Sequence, residues 1–150
     1  MIFETVAGER YTPFSLAKKF GAKAVLESAS FSQGKDRYSI IMLDEAFKVI
    51  EDDEGVAIII NGNRQPVHMM NGGDILDVLT QIADENPAEE GMDFPLPAAG
   101  IGYLSYEFCA KCDTIHLQKQ NDELKIPESA FIVGHTFVVF DHFTEKLHIC

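Results

Sequence analysis

Residues 46–68 constrain the fold more than any other segment, because two turn sequences divide them into three short runs of strand-forming residues. Such runs, separated by turns that contain Gly, Asn and Asp, are typical of β-hairpins. The segment is therefore predicted to be an antiparallel meander. Its third strand contains Pro66, which cannot donate a ladder hydrogen bond, so this strand should lie at a sheet edge. The three predicted strands are Phe47–Ile50, Val56–Ile60 and Gln65–His68.

Helix signals lie on both sides of this meander. Thr12–Pro13 is a favourable helix start, since threonine caps the first turn and proline fits the first helical position, and Gly21 supplies a stop signal. Ile75–Ile82 has apolar residues at helical spacing, and Asp74 and Asp77 suit the positive end of the helix dipole. Two helices are therefore expected, one before the meander and one after it.

The remaining apolar runs are predicted to be strands, and Asn86–Pro97, with three prolines, is predicted to be a loop or linker. Because strands outnumber helices, the expected fold class is α+β, with a mostly antiparallel β-sheet packed with a few helices. The length predicts one domain over residues 1–150. The further strands are Ala24–Leu26, Tyr38–Leu43, Ala98–Tyr106, Phe131–Phe140 and Lys146–Cys150.

Composition excludes several classes of function. Twenty-four acidic and twelve basic residues give a formal charge of −12, which repels nucleic-acid phosphates and anionic lipid headgroups. We expect no nucleic-acid partner and no membrane partner, because no apolar stretch is long enough to span a bilayer and the start lacks a secretory signal. Three cysteines do not form a disulfide framework, which favours a soluble protein in a reducing cytoplasm.

Metal and nucleotide motifs are weak. Cys109-x-x-Cys112-x-x-x-His116 contains residue types that bind zinc, but a second tight pair of ligands is absent, so ordinary thiols and a surface imidazole are favoured. The acidic run Glu51–Glu54 lacks the spacing of a calcium loop and is interpreted as a solvated hairpin tip. Gly100 and Gly102 lack a third glycine and a following helix, so they indicate close backbone packing or a bend within a sheet. We predict no metal, no cofactor and no catalytic residue in this chain.

Three segments, in order, resemble a known family. The first is Val25–Ala29 (Val-Leu-Glu-Ser-Ala), followed by Asp36–Ile41 with its Arg-Tyr-Ser sequence. The second is Pro97–Glu107, which contains Gly-Ile-Gly-Tyr-Leu-Ser-Tyr-Glu. The third combines Ile126–Phe131 with Val138–His142, which ends in Phe-Asp-His. These motifs are similar to the N-terminal region of component I of anthranilate synthase and to its relative, component I of aminodeoxychorismate synthase.

The resemblance implies a regulatory and scaffolding role in tryptophan biosynthesis. The parent of such a chain is an anthranilate synthase, a lyase that acts on chorismate, and it uses Mg²⁺ in a C-terminal catalytic domain. Its partner is a glutamine amidotransferase subunit (component II). The N-terminal region contributes to a feedback pocket for L-tryptophan, which the resemblance places at Leu26, Glu27, Ser28 and Tyr38. Glu27 would accept from the ligand ammonium, Ser28 would orient it, and Leu26 and Tyr38 would contact the indole.

Several alternatives stay open. The same region of para-aminobenzoate synthase component I would serve folate biosynthesis instead, and the chain could also be a stand-alone ligand-binding or interaction module. A small zinc-stabilised domain is the third alternative, and a homodimer is compatible with each. The run Lys146–Cys150 ends without a cap or polar tail, so we expect a truncated chain that lacks the chorismate-binding catalytic domain and is not an enzyme by itself.

Overall fold

A computed structural model of the protein describes residues 4–8, 10–28, 37–69, 72–88, 91–117 and 124–150. These residues form two five-stranded sheets, both entirely antiparallel, together with helices, which confirms the predicted α+β class. A short 3-10 helix covers Tyr106–Phe108. The strands and α-helices, in chain order, are β1 (Glu4–Ala7), α1 (Pro13–Phe20), β2 (Ala24–Leu26), β3 (Tyr38–Met42), β4 (Phe47–Asp52), β5 (Gly55–Ile60), β6 (Asn63–Pro66), α2 (Ile75–Glu85), β7 (Ile101–Leu104), α3 (Cys109–Cys112), β8 (Ser129–Val133), β9 (Phe137–Asp141) and β10 (Lys146–Ile149).

The chain divides into two compact units, each built from separate stretches of sequence. Unit 1 consists of Met1–Ala46, Asn86–Ala98 and Gly134–Cys150, and unit 2 consists of Phe47–Glu85 and Ala99–Val133. The polypeptide therefore leaves and re-enters each unit, and neither unit is a continuous segment. Whether the two units unfold together as one domain stays a prediction.

Unit 1 contains the sheet β1-β10-β9-β3-β2 and helix α1. The predicted start of α1 is confirmed, because Thr12 and Ser15 form a reciprocal capping box and Pro13 occupies the first turn. Gly21 ends the helix in the left-handed conformation, with φ of 65°. Leu16 and Ala17 of α1 bury against a cluster on the sheet that consists of Ile41, Val138, Phe140 and Leu147.

Unit 2 contains the sheet β6-β5-β4-β8-β7 and helix α2. The meander β4-β5-β6 is confirmed, although its third strand covers Asn63–Pro66 instead of the predicted Gln65–His68. The strand that contains Pro66 lies at the sheet edge as predicted. α2 buries Ile75, Val78 and Leu79 in the core of this unit. Val49, Val56, Phe108 and Val133 complete that core.

The acidic run that begins at Glu51 is only partly a solvated hairpin tip. Glu51 itself is buried, with an exposed fraction of 7%, and it accepts from the backbone N–H of Ile75 at the start of α2. The Nζ atom of Lys111 lies 2.8 Å from the Oε1 atom of Glu51 and 3.2 Å from the Oε1 atom of Glu128. Burial alone lowers the pKa of Lys111, but its hydrogen bonds to the two carboxylates outweigh that effect and raise the pKa. The interpretation of Glu51 as solvated was wrong, because its charge is compensated inside unit 2.

The run Phe131–Phe140 is two strands, β8 and β9, and the prediction of one long strand was wrong. The two strands belong to different sheets. The break depends on a residue that is distant in sequence, because the Asp44 carboxylate accepts from the backbone N–H groups of His135 and Thr136 at 2.9 and 2.7 Å. A Cβ atom at Gly134 would lie 2.5 Å from the Asp44 carbonyl oxygen, so only glycine fits the turn as it stands. An uninterrupted apolar sequence carries no sign of this contact.

The remaining predictions have mixed outcomes. The strand predicted for Ala98–Tyr106 is shorter, as β7 covers only Ile101–Leu104 before the 3-10 helix begins. The described part of the predicted loop Asn86–Pro97 contains neither helix nor strand. The segment between the predicted strands Ala24–Leu26 and Tyr38–Leu43 lies mostly outside the described residues, although the two strands pair as expected. No helix among the described residues is long and apolar enough to cross a membrane.

Gly102 is predicted to be intolerant of any side chain. A Cβ atom there would lie 2.0 Å from the carbonyl oxygen of Ala130 and 2.6 Å from the Cα atom of Phe131. We expect Gly102→Ala to lower the free energy of unfolding by about 2 to 3 kcal/mol, because the backbone of β8 must move. Urea denaturation measures this loss. Gly73→Ala is the control, since its nearest atoms are the mobile ends of Met69 and Asp77; equal losses in both variants would contradict the prediction.

Candidate functional site

The candidate site lies in unit 1, where β2 ends beside the beginning of β3. The antiparallel register pairs Leu26 with Ile40, and the chain then continues into Glu27 and Ser28. The Ser28 N–H donates to the Ser39 Oγ atom at 3.0 Å, and the Ser28 hydroxyl donates to the Tyr38 carbonyl oxygen at 2.6 Å. Two hydrogen bonds therefore hold Ser28 against β3, and the structure brings Ser28 and Tyr38 into direct contact.

Two contacts hold the Tyr38 side chain, one at its hydroxyl and one at its ring. Its hydroxyl donates to the carbonyl oxygen of Asp93 at 3.2 Å, and the Arg37 guanidinium lies 4.8 Å from the ring centroid. Burial raises the pKa of Tyr38, while the charge of Arg37 opposes that rise. Phe94 follows Asp93 and stacks on His148, with ring centroids 4.3 Å apart. The loop that contains Asp93 and Phe94 is thus attached to the sheet beside the candidate site.

Leu26 and Glu27 are both exposed. Leu26 has an exposed fraction of 49%, and it lies on β2, at the edge of its sheet as described. Because Leu26 pairs with Ile40, it shares a face of the sheet with Tyr38, two residues earlier on β3. The four predicted effector residues are therefore neighbours, with Leu26 and Glu27 open to contact and with Ser28 and Tyr38 held in place.

Sequence reasoning did not assign roles to the residues that hold this site together. Arg37 forms a two-pronged ion pair with the buried side chain of Asp141, 104 positions further along the chain. The Asp141 Oδ1 atom also accepts from the N–H groups of Phe143 and Thr144, and so organises the turn between β9 and β10. The sequence did contain a signal that both residues matter, because Arg37 and Asp141 lie in motifs that carry the family resemblance.

The hydrogen bonds between Arg37 and Asp141 shift the pKa values of both side chains. Hydrogen bonding from Arg37 holds the pKa of Asp141 well below its usual range, against the opposing effect of burial. The bonds from the β9–β10 turn act in the same direction as Arg37. The hydrogen bond to Asp141 in turn raises the pKa of Arg37. At neutral pH the pair is fully ionised.

His142 completes the network. Its Nε2 atom lies 2.7 Å from the Ser39 Oγ atom, and its backbone N–H donates to the Arg37 carbonyl oxygen at 2.9 Å. Ser39 is completely buried, with an exposed fraction of 0%. The first and third motif segments of the sequence therefore meet at one place, through Ser28, Ser39 and His142.

An open cavity of about 490 Å³ lies beside the β9–β10 turn. Its lining mixes aromatic, charged and aliphatic residues, and none of the four predicted effector residues contributes to it. His142 both lines this cavity and contacts Ser39, so the two regions adjoin at that residue. The cavity is lined by residues that include Tyr11, Pro13, Phe140, His142, Glu145 and Lys146.

The cysteine and histidine residues do not assemble into a metal centre in the described part of the chain. No group of three His, Cys, Asp or Glu residues there lies close enough to hold an ion. Cys109 and Cys112 mark the two ends of α3, and Lys111 between them bonds to Glu51 and Glu128. Burial raises the pKa of Cys150 to about 11, so its thiol stays protonated at neutral pH.

No family model matches the chain. The relatives and the solved structure that match it all carry the same description. Component 1 of anthranilate synthase from Spirochaeta aurantia is 46% identical over 149 residues, which are 99% of this chain and 30% of that protein. The corresponding proteins of Lactococcus lactis subsp. lactis (strain IL1403) and Acetivibrio thermocellus are 26% and 27% identical, over 95% and 96% of this chain. The chain spans about 30% of the length of these curated relatives.

A solved structure shares the fold. The crystal structure of anthranilate synthase component I from Streptococcus pneumoniae TIGR4 matches 96% of this chain and 30% of that chain, with a TM-score of 0.56 and 22% identity. The two five-stranded antiparallel sheets and their helices thus define an α+β portion of that fold. The resemblance to the N-terminal region of anthranilate synthase component I, first carried by the sequence motifs, is confirmed by relatives that align with almost all of this chain.

Removing the charge of Asp141 is expected to change how the stability of the fold depends on pH in the acidic range. Its folded-state pKa lies below the unfolded value of about 3.9, so the carboxylate stabilises the fold above that pH. This contribution is lost as the pH falls below about 4, through the folded-state pKa. Asp141→Asn should therefore lower the urea midpoint at pH 7 and flatten its fall as the pH drops below about 4. Glu145→Gln, on the same turn, should retain the wild-type profile; a wild-type profile for Asp141→Asn would contradict the assignment.

Proposed function

We propose that this chain is the N-terminal regulatory and scaffolding portion of an anthranilate synthase component I. The parent protein forms anthranilate from chorismate in tryptophan biosynthesis, and this portion is not catalytic by itself. The observation that carries the proposal is the 46% identity to a component 1 over 99% of this chain. All three curated relatives bear that name, which favours the anthranilate branch over the para-aminobenzoate branch.

The partners of the parent follow from the same proposal. The remaining part of the parent supplies the chorismate-binding domain and its Mg²⁺, and a glutamine amidotransferase subunit supplies ammonia. The net charge of −12 and the acidic surface fit a cytoplasmic enzyme that does not bind nucleic acid or membranes. A homodimer of the parent stays compatible with this arrangement.

L-Tryptophan is the proposed effector, and Leu26, Glu27, Ser28 and Tyr38 are its proposed contacts. The Ser28 hydroxyl already donates its only proton to the Tyr38 carbonyl oxygen, so it can only accept from a ligand. An ammonium group donates and never accepts, and the carboxylate of the adjacent, exposed Glu27 is a second acceptor in the same segment. The exposed side chain of Leu26 offers apolar area to an indole ring. This donor and acceptor pattern suits the amino end of a free amino acid.

Feedback inhibition requires a difference in binding between two states. L-Tryptophan lowers activity only if it binds an inactive arrangement of the parent more tightly than the active one. An exposed edge strand with fixed polar groups suits this role, because residues from another part of the parent can complete or release the site. We therefore propose that the effector site is shared between this chain and the rest of the parent.

Leu26→Ala is expected to weaken L-tryptophan binding to the intact parent by roughly tenfold, because the indole loses apolar contact area. Isothermal titration calorimetry measures the affinity. Val25→Ala is a matched control, since Val25 is also exposed on β2 but faces the opposite side of the sheet. Equal affinities for Leu26→Ala and the wild type would remove Leu26 from the site.

Ser28→Ala removes the proposed acceptor for the ammonium group. We expect its affinity for L-tryptophan to fall by roughly tenfold or more, as is typical for the loss of a hydrogen bond to a charged group. The same calorimetric titration measures it. An unchanged affinity would remove Ser28 from the site.

Analysis of the reaction product of the intact parent distinguishes the anthranilate branch from the para-aminobenzoate branch. The intact parent, supplied with chorismate, Mg²⁺ and ammonia, is expected to release anthranilate, which fluorescence detects. Formation of aminodeoxychorismate instead would move the protein to the para-aminobenzoate branch. A parent that transforms no chorismate would favour a stand-alone binding module.

A further inference from the structure

The Ser39 hydroxyl lies between the proposed effector segment and His142. Its Oγ atom is 3.0 Å from the Ser28 backbone nitrogen and 2.7 Å from the His142 Nε2 atom. Ser39 is completely buried, so water does not compete for these bonds. The hydroxyl cannot be reached by a substrate, and its role must therefore be exerted through its neighbours.

The Ser39 hydroxyl takes part in two hydrogen bonds. The Ser28 N–H group can only donate, so the Ser39 oxygen accepts there. The His142 Nε2 atom lies 2.7 Å from the same oxygen, and the imidazole tautomer decides which of these two atoms donates. In either tautomer the two bonds hold the Ser39 hydroxyl between Ser28 and His142.

The orientation of Ser28 thus depends on a chain of three groups. If residue 142 offers no hydrogen-bond partner, the Ser39 hydroxyl loses its preferred direction, and the bond that holds the Ser28 backbone weakens. Among the described residues, the bond from the Ser28 hydroxyl to Tyr38 is then the one that still holds Ser28 at full strength. The lone pairs that would face a ligand ammonium are no longer held in one direction.

The rest of His142 is anchored independently of its imidazole ring. Its backbone N–H donates to the Arg37 carbonyl oxygen, and the preceding residue, Asp141, is held by Arg37 and by two amides of the turn. Replacing the imidazole therefore leaves the turn attached to β3. This separation makes the role of the ring testable apart from the stability of the turn.

We propose that Ser39 and His142 are positioning residues that orient Ser28 for effector binding. The inference rests on the proposed function of Ser28, and it deepens that function by extending the regulatory site to two residues that do not touch the effector. It assigns no part in chorismate chemistry to either residue. Loss of the pair affects the affinity for L-tryptophan and leaves the turnover of the uninhibited enzyme unchanged.

The test uses the intact parent and compares His142→Phe with His142→Gln. Phenylalanine keeps an aromatic ring next to Phe140, whose ring centroid lies 6.1 Å from that of His142, but it offers no hydrogen-bonding atom to Ser39. Glutamine restores both a donor and an acceptor at a similar reach. His135→Phe is the matched control, because His135 is an exposed histidine of the same unit that contacts Asp44 and not Ser39.

Calorimetry is expected to show L-tryptophan binding weakened about fivefold in His142→Phe, the typical effect of one neutral hydrogen bond. His142→Gln and His135→Phe should bind within about twofold of the wild type. Ser39→Ala should weaken binding at least as much as His142→Phe. The kcat without effector should stay near the wild-type value in the two His142 variants, and the melting temperature should fall modestly only in His142→Phe, because the buried Ser39 hydroxyl loses a partner.

Three results would overturn the inference. Wild-type affinity in His142→Phe excludes a positioning role, and so does an equal loss in His135→Phe. A loss of affinity matched by losses of kcat and melting temperature, without rescue by glutamine, reveals a structural role only. Ser28→Ala separates this failure from that of the proposed function: if Ser28→Ala weakens binding and His142→Phe does not, only the positioning role fails. A wild-type parent that does not bind L-tryptophan overturns both.

Discussion

The arrangement of unit 1 depends on satisfying one buried carboxylate. Asp141 has an exposed fraction of 3%, and an isolated charge at such a place would be costly. Arg37 supplies the opposite charge and two donors, and the amides of Phe143 and Thr144 supply the rest. The same contacts hold the start of β3 against the end of β9, and they close the turn into β10. A single electrostatic requirement thereby joins segments that are 104 positions apart.

The candidate site is built on that junction. Because Arg37 is held by Asp141, Tyr38 and Ser39 enter β3 in a defined orientation, and Ser28 bonds to both of them. His142 follows Asp141 and reaches Ser39 from the other side. The proposed effector contacts thus depend on bonds among residues that the effector does not touch, which is how a rigid framework holds a binding group in place.

Unit 2 also contains a buried carboxylate whose charge is compensated by a cation. Glu51 is buried at the end of β4, where Lys111 and the first turn of α2 satisfy it. Lys111 also bonds to Glu128, so one ammonium group links β4, α3 and the segment before β8. These bonds attach the short helix α3 to the sheet of unit 2. Both units therefore compensate a buried acid with a cation from a distant part of the chain.

Local sequence determined the meander β4-β5-β6, the capped helix α1, the edge position of Pro66 and the close packing of Gly102. Each of these follows from turn chemistry, capping or the missing donor of proline, which act between neighbouring residues. The motifs also pointed to Ser28 and Tyr38. Tertiary structure alone decided that residues 131–140 divide at Gly134, that Glu51 is buried, and that Arg37, Ser39 and His142 support Ser28. These features depend on hydrogen bonds and charges between residues far apart in the chain, and no periodicity or local propensity encodes such partners.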